Sequence, residues 1–183
     1  MDLIEQLFLG LALAMDAFAI SICLGLSTNE KSKTAIEAGI WFGGFQALMT
    51  LIGYFLGTSF RQYIESVDHW IAFALLFFIG VNMLKESIES KKQGDSCERR
   101  PQSMLLLAIA TSIDALAVGV SISIITKNYI SPVVIIGVVS LILSTIGVLA
   151  GNVIGARRKY IAELTGGVIL ILIGVKILIE GFI

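Results

Sequence analysis

The sequence contains little charge for its length. Only 15% of its 183 residues are charged and 56% are hydrophobic, whereas soluble domains average about 25% charged residues. The mean hydropathy is +0.91. This composition excludes a water-soluble domain and indicates an integral membrane protein. The formal net charge is −1, and the chain lacks the basic stripe of nucleic-acid-binding proteins.

Histidine and cysteine, the residues that zinc and copper sites favour, are also scarce. The single histidine, His69, adjoins Trp70, and such a pair is typical of a membrane interface. Cys23 lies in an apolar segment and Cys97 in a charged loop, so we expect no disulfide. The two cysteines also lack the spacing typical of a metal site. The chain also has no GxxxxGK[ST] phosphate loop and no HExxH motif. We therefore expect neither an enzyme nor a bound cofactor.

Long apolar segments are abundant. A spanning helix needs about 20 mostly apolar residues, and six segments qualify: residues 3–26, 34–60, 69–87, 103–125, 131–154 and 161–183. The first begins with the acidic MDLIEQ, where a cleaved signal peptide would be basic, so we expect it to remain in place. The sequence predicts an all-α integral membrane protein with six transmembrane helices.

The basic residues predict how these helices are oriented. Of the 13 lysines and arginines, ten fall on one side, in loops or close to a helix end. Two (Arg61 and Lys127) fall on the other side, and Lys176 lies inside the sixth helix. Cytoplasmic loops of membrane proteins carry the excess of lysine and arginine. We therefore expect a multi-pass plasma membrane protein with both termini extracytoplasmic and a charged cytoplasmic linker at residues 88–102.

The two halves of the chain resemble each other. Residues 16–19 (DAFA) match residues 114–117 (DALA) at an offset of 98, and residues 79–87 match residues 173–181 at an offset of 94. Three glycines of the second helix, Gly43, Gly53 and Gly57, also recur in the fifth at an offset of 94. These matches predict one repeat at residues 1–87 and another at residues 103–183.

Each repeat contains three predicted helices, which is an odd number. The second repeat must therefore enter the membrane upside down relative to the first. Inverted repeats are typical of secondary transporters, whose substrate sites lie near the bilayer midplane between the two halves.

Each repeat also places one aspartate, Asp16 or Asp114, near the middle of its first helix. A charge at the bilayer centre costs about 2.5–3.5 kcal/mol on insertion scales, so such groups usually face a partner or a cavity. Small residues share the face of each aspartate and would permit close helix contact: Ala12, Ala19 and Cys23 in the first helix, and Ala110, Ala117 and Ser121 in the fourth. We expect the two carboxyls to meet.

Two adjacent carboxylates repel each other unless a proton or a cation lies between them. A divalent cation balances both charges, and oxygen ligands suit magnesium, calcium and manganese. Met15 and Cys23 would add soft ligands and favour manganese. Two alternatives remain for Asp16 and Asp114, which are a purely structural hydrogen-bonding role and a site for protons alone.

Several other polar residues lie within the predicted helices. Gln46 in the second helix corresponds to Ser140 in the fifth, and Thr50 corresponds to Ser144, which Thr145 follows. Their oxygen atoms could complete the ligand shell of a metal at the aspartates. Alternatively, the hydroxyl groups bond back to carbonyls of their own helices, as is common for serine and threonine in membranes.

Five stretches together make the sequence similar to a known family, the bacterial manganese efflux pumps called MntP: MDAFAISI, IATSIDALAVGVSI, FGGFQALMTLIGYFLG, DHWIAF and LSTIGVLAG. The resemblance covers the whole chain. It implies membership of the lysine-exporter-like transporters and export of manganese from the cytoplasm. It also implies that Asp16 and Asp114 are the intramembrane acids, while Gln46 stands where some members carry glutamate.

We therefore expect a secondary transporter that exports Mn²⁺ as its substrate, by alternating access, with protons as the counter-ion. One alternative is an exporter of amino acids or other small organic solutes. It would need an anion-binding group, and Lys176 is the only basic candidate for that role. A second alternative is a membrane subunit that transports nothing and would show neither metal binding nor flux.

Overall fold

The computed structural model describes residues 2–64, 68–92, 104–154 and 159–180. Within these residues the secondary structure consists of six α-helices and no strands. They are α1 (Leu3–Ser27), α2 (Lys31–Ile64), α3 (Asp68–Lys92), α4 (Met104–Ile125), α5 (Ile130–Ile154) and α6 (Lys159–Glu180). The prediction of an all-helical chain is confirmed.

Two helices are longer than hydropathy predicts. The α2 helix begins at Lys31 rather than at residue 34 and ends at Ile64 rather than at residue 60. The α3 helix continues to Lys92 and so enters the segment 88–102 that was predicted as a linker. Lysine and glutamate are good helix formers, so both helices continue past their apolar segments. The remainder of the predicted linker lies outside the described residues.

Four of the helices, α1, α2, α4 and α5, are long and apolar enough to cross a membrane. Within the described residues, α3 and α6 contain shorter apolar segments, Ala72–Lys85 and Leu164–Ile179. Large apolar side chains cover the outside of the bundle, where lipid rather than water is the favourable solvent. The chain is therefore a multi-pass membrane protein.

The helices of the two halves pack mainly against each other. The most extensive contacts join α1 to α5, α2 to α4, α3 to α6, and α2 to α5. Smaller contacts join α1 to α6 and α3 to α4, whereas α1 and α4 touch only over a short stretch. The two aspartate-bearing helices are thus held mainly by other helices and meet at one level.

Glycines let α5 approach the backbone of α1. A Cβ on Gly147 would lie 3.0 Å from the carbonyl oxygen of Phe18, and one on Gly151 would lie 2.7 Å from that of Ile22. Both distances are shorter than ordinary van der Waals contacts. Any larger residue at these positions would therefore push the two helices apart.

The contact between α2 and α4 is built in the same way. A Cβ on Gly53 would overlap the carbonyl oxygen of Leu116, and one on Gly57 would lie 3.0 Å from that of Val120. Gly53 and Gly57 precede the two glycines of α5 by 94 residues, and Leu116 and Val120 follow their α1 counterparts by 98. Both helix pairs therefore use corresponding residues.

The cysteines differ from the expectation. Cys23 forms a disulfide, and the chain's one other cysteine, Cys97, lies outside the described residues. The prediction that no disulfide forms is wrong for Cys23. Its apolar segment suggested that it lies deep in the membrane, but it is four residues from the end of α1 at Ser27, within reach of a loop.

Replacing Gly53 by alanine should destabilise the protein, because the new Cβ would collide with the Leu116 carbonyl. Such overpacking costs about 1–3 kcal/mol and should lower the melting temperature in detergent. Gly44 on the same helix provides the control, since a Cβ there meets nothing within 4 Å. Gly44→Ala should leave the melting temperature unchanged or raise it, and equal losses in both variants would contradict this account of the helix contact.

Candidate metal site

Asp16 and Asp114 lie near the midpoints of α1 and α4. Each is about 10 to 13 residues from either end of its helix, and each is half-buried. The two side chains are hydrogen-bonded to each other. Ala17 and Ala115, the residues that follow them, are fully buried, so small side chains occupy the surrounding space. The structure thus brings together the two carboxyls that the sequence singles out.

Gln46 of α2 connects the two aspartate-bearing helices. Its side chain is fully buried, and Nε2 donates to the carbonyl oxygens of Leu13, at 3.4 Å, and Thr111, at 3.1 Å. Each of these carbonyls belongs to the residue three positions before an aspartate. Because both neighbours are acceptors, this placement of the amide nitrogen is the one that satisfies them.

The amide oxygen of Gln46 differs from the amide nitrogen in its hydrogen bonding. Within the described part of the chain, Oε1 is buried and has no hydrogen-bond partner. More than nine in ten buried polar groups in proteins have a partner, so this oxygen is unusual. It is available as a ligand on the amide group that spans the two aspartate helices.

Two serines of α5 have the same property. Ser140 and Ser144 are fully buried, and neither hydroxyl has a partner among the described residues. Gly10 packs beside Ile136 and Ser21 beside Gly147. Since both pairs are separated by 126 positions, the register places Ser140 level with residue 14, close to the height of the aspartates. The serine oxygens could therefore contribute to a site there.

The two threonines predicted as possible ligands have backbone partners. The Thr50 hydroxyl donates to the carbonyl of Gln46 at 2.7 Å. The Thr145 hydroxyl donates to the carbonyl of Leu141 at 2.8 Å and lies 3.4 Å from that of Ala35, at the contact between α2 and α5. For these residues the structure displays the back-bonding that the sequence left as an alternative.

The donors gathered at this level are oxygen atoms. Cys23 is in a disulfide and cannot supply a thiolate. The described residues contain no group of three or more histidine, cysteine, aspartate or glutamate side chains that could hold a metal. Two carboxylates nevertheless balance a divalent charge, and amide and hydroxyl oxygens suit the cations that prefer oxygen ligands. The donor set fits magnesium, calcium or manganese better than zinc or copper.

Sequence reasoning identified Asp16, Asp114, Gln46 and Ser140 but missed the backbone groups between them. The carbonyls of Leu13 and Thr111 cannot be recognised from side-chain identity. The repeat does relate them, because Leu13 and Thr111 are separated by 98 positions, as the two aspartates are. Ser21, whose buried hydroxyl is also without a partner among the described residues, was missed as well.

Long apolar helices that surround a pair of carboxyls are typical of multi-pass membrane transport proteins. Comparison with known proteins identifies the family. A family model described as "Putative manganese efflux pump" matches residues 29–178. The chain therefore belongs to the MntP family.

Individual relatives agree over almost the full length. Three proteins named "Putative manganese efflux pump MntP" illustrate this similarity. Those of Campylobacter jejuni, Desulfitobacterium hafniense and Acetivibrio thermocellus are 50%, 49% and 47% identical to this chain. The alignments cover 97–98% of this chain and 92–97% of the relatives. No solved structure matches.

Replacing Ser140 by alanine should not destabilise the fold, because its hydroxyl has no protein partner among the described residues. Removing an unsatisfied buried polar group is neutral or stabilising, so the melting temperature should hold or rise. Mn²⁺ binding, measured by calorimetry, should nonetheless weaken if this oxygen is a ligand. Thr50→Val is the comparison, since it removes a hydrogen bond to Gln46 and should lower the melting temperature. A lower melting temperature with unchanged Mn²⁺ affinity in Ser140→Ala would contradict the assignment.

Proposed function

We propose that this protein is a secondary transporter that exports Mn²⁺ from the cytoplasm across the bacterial plasma membrane. The observation that carries the proposal is the pair of carboxyls at mid-depth, Asp16 and Asp114, whose side chains meet. Relatives that are about half identical over nearly their whole length are named as manganese efflux pumps. A paired carboxylate supplies the charge that a divalent ion needs inside a membrane.

Metal and protons compete for this pair. Two carboxyls can hydrogen-bond to each other only when one of them carries a proton. Mn²⁺ binding needs both in the charged form, so the shared proton leaves as the metal enters. Protons arriving from outside then displace the metal, which makes the exchange an antiport. In this scheme Gln46 Oε1 and the hydroxyls of Ser140 and Ser144 complete the oxygen shell, with Thr50 and Thr145 more distant.

The packing supports two inverted three-helix repeats at residues 1–87 and 103–183. The contact of α1 with α5 and that of α4 with α2 use residues that correspond at the offsets of the sequence repeat. Gln46 likewise bonds Leu13 and Thr111, which are repeat counterparts. These correspondences favour six crossings related by a pseudo-two-fold axis near the aspartates. Both termini would face outward and the 88–102 segment would face the cytoplasm.

Polar contacts tie together the end of the bundle at which the chain begins. Glu5 of α1 forms an ion pair with Lys176 of α6. At the same end, the Ser131 hydroxyl donates to Gln6 Oε1 at 2.6 Å, and the Tyr54 hydroxyl donates to the Lys127 carbonyl at 3.1 Å. These contacts connect α1, α2, α5, α6 and the α4–α5 loop. These contacts favour closure of this end.

The repeat counterparts of these residues cannot make the same contacts at the opposite end. Asn82 replaces Lys176 and Ser103 replaces Glu5, so these two positions carry no pair of opposite charges. Met104 and Val148 replace Gln6 and Tyr54, which removes the side-chain acceptor and the donor. The asymmetry favours closure of the extracytoplasmic end, and an exporter that loads from the cytoplasm needs this resting state.

The function can be tested with Asp16→Asn and Asp114→Asn in cells that lack their own manganese exporter. Each variant should lose manganese tolerance, because one carboxylate cannot balance the ion. Cellular manganese, measured by mass spectrometry, should rise to the level of cells without the transporter. Asp2→Asn is the matched control, since asparagine caps a helix as well as aspartate does.

Membrane levels of each variant would be compared by immunoblotting. Full tolerance in both variants, at normal membrane levels, would exclude the assigned site. If the two aspartates form a site for protons alone, the purified wild-type protein will not bind Mn²⁺. The organic-solute alternative predicts that Mn²⁺ content is independent of the transporter.

A further inference from the structure

We propose that Gln46 is a positioning residue that fixes the separation of α1 and α4 at the level of the aspartates, and thereby the size of the cation that the site accepts. The inference rests on the proposed function and concerns the selectivity of the same site. Its basis is the amide nitrogen, which lies between the two helices, rather than the amide oxygen as a ligand. The hydrogen bonds of Nε2 to Leu13 and Thr111 carry the proposal.

The geometry matches the bonding capacity of the amide. The NH₂ group of glutamine has two donor hydrogens, and its two acceptors lie on different helices at 3.4 Å and 3.1 Å. Each backbone carbonyl has two lone pairs, so it can accept this bond and also the bond of its own helix. One rigid, planar group thus joins α1 to α4.

The two hydrogen bonds of Gln46 Nε2 lie one helical turn from the carboxyls. Residues three positions apart on a helix are neighbours on its surface, which places Leu13 beside Asp16 and Thr111 beside Asp114. A change in the distance between the two carbonyls therefore changes the distance between the two carboxyls. The amide nitrogen thus sets the spacing of the charged ligands, while the amide oxygen stays available to the ligand shell.

Among the described residues, direct contact between α1 and α4 contributes little to this spacing. The α1 and α4 helices touch only over a short stretch and pack mainly against α5 and α2 respectively. Gln46 itself belongs to α2, which packs extensively on both α4 and α5. The α1 and α4 helices have little direct contact with each other. The Gln46 amide therefore fixes the position of both helices relative to α2, which is well packed.

The two repeats differ at the position of this amide. The counterpart of Gln46 is Ser140, whose hydroxyl is too short to span two helices and has no partner in the part of the chain that the structure describes. The site therefore has a rigid amide on one side of the pseudo-two-fold axis and a small hydroxyl on the other. A fixed ligand spacing discriminates between cations by size, since magnesium binds oxygen at about 2.0–2.1 Å and calcium at about 2.3–2.6 Å.

The decisive variant is Gln46→Glu, which keeps ligand oxygens at the same reach and removes the NH₂ donors. An ionised glutamate cannot bond the carbonyls of Leu13 and Thr111 and repels them. The connection between α1 and α4 should loosen, while the attraction of the site for a divalent ion is kept or increased. Mn²⁺ affinity should therefore stay within a few-fold of wild type, whereas the preference for Mn²⁺ over Ca²⁺ should fall about tenfold.

The measurement is equilibrium binding of Mn²⁺ to the purified full-length protein in nanodiscs, with Ca²⁺ and Mg²⁺ as competitors. Gln46→Asn keeps the NH₂ group on a side chain that is one methylene shorter and should be intermediate in selectivity. Gln6→Glu, the same chemical change near the start of α1, is the matched control and should keep wild-type selectivity. Thermal unfolding of every variant separates a loss of folding from a loss of selectivity.

The outcomes distinguish this inference from the proposed function. Wild-type selectivity in a folded Gln46→Glu variant would overturn the positioning role and leave Mn²⁺ transport intact. An equal loss of affinity for all three cations would also overturn it, since that result indicates a ligand alone. Absence of Mn²⁺ binding in the wild-type protein would instead remove the proposed function.

Discussion

The contact between Asp16 and Asp114 is the constraint on which the rest of the structure depends. Two carboxyl groups that meet in an apolar helical bundle are stable only with a proton or a cation between them. The packing of the surrounding helices allows the two carboxyls to come into contact. Buried alanines flank both aspartates, and glycines let α5 approach α1 and α2 approach α4. Close packing of the helices thus lets the two carboxyls meet.

Buried oxygen atoms without partners among the described residues lie in α2 and α5, the helices that pack against the two aspartate helices. Buried polar groups without partners destabilise a fold, yet Gln46 Oε1 and the hydroxyls of Ser140 and Ser144 lack partners among the described residues. Such groups are typical of sites that are complete only with a ligand. The two threonines nearby, by contrast, are satisfied by backbone carbonyls.

Much of this arrangement could be predicted from the sequence, because its signals are periodic. The apolar segments predicted six helices, and the recurrence of aspartate with small residues predicted that the carboxyls meet. The amide bonds of Gln46 could not be predicted, because their acceptors are backbone carbonyls that every residue has. The extension of α3 to Lys92 and the disulfide of Cys23 were also missed, since hydropathy reports the lipid-facing part of a helix and not where its polar ends reach.

The most direct test of the account is Mn²⁺ flux in proteoliposomes, measured together with internal pH. If the shared proton is exchanged for the metal, an imposed pH gradient will drive Mn²⁺ against its own gradient. Downhill Mn²⁺ flux will in turn move protons in the opposite direction, and both movements will be lost in Asp16→Asn. Mn²⁺ flux that is independent of the pH gradient and moves no protons would contradict the exchange at the paired carboxyls.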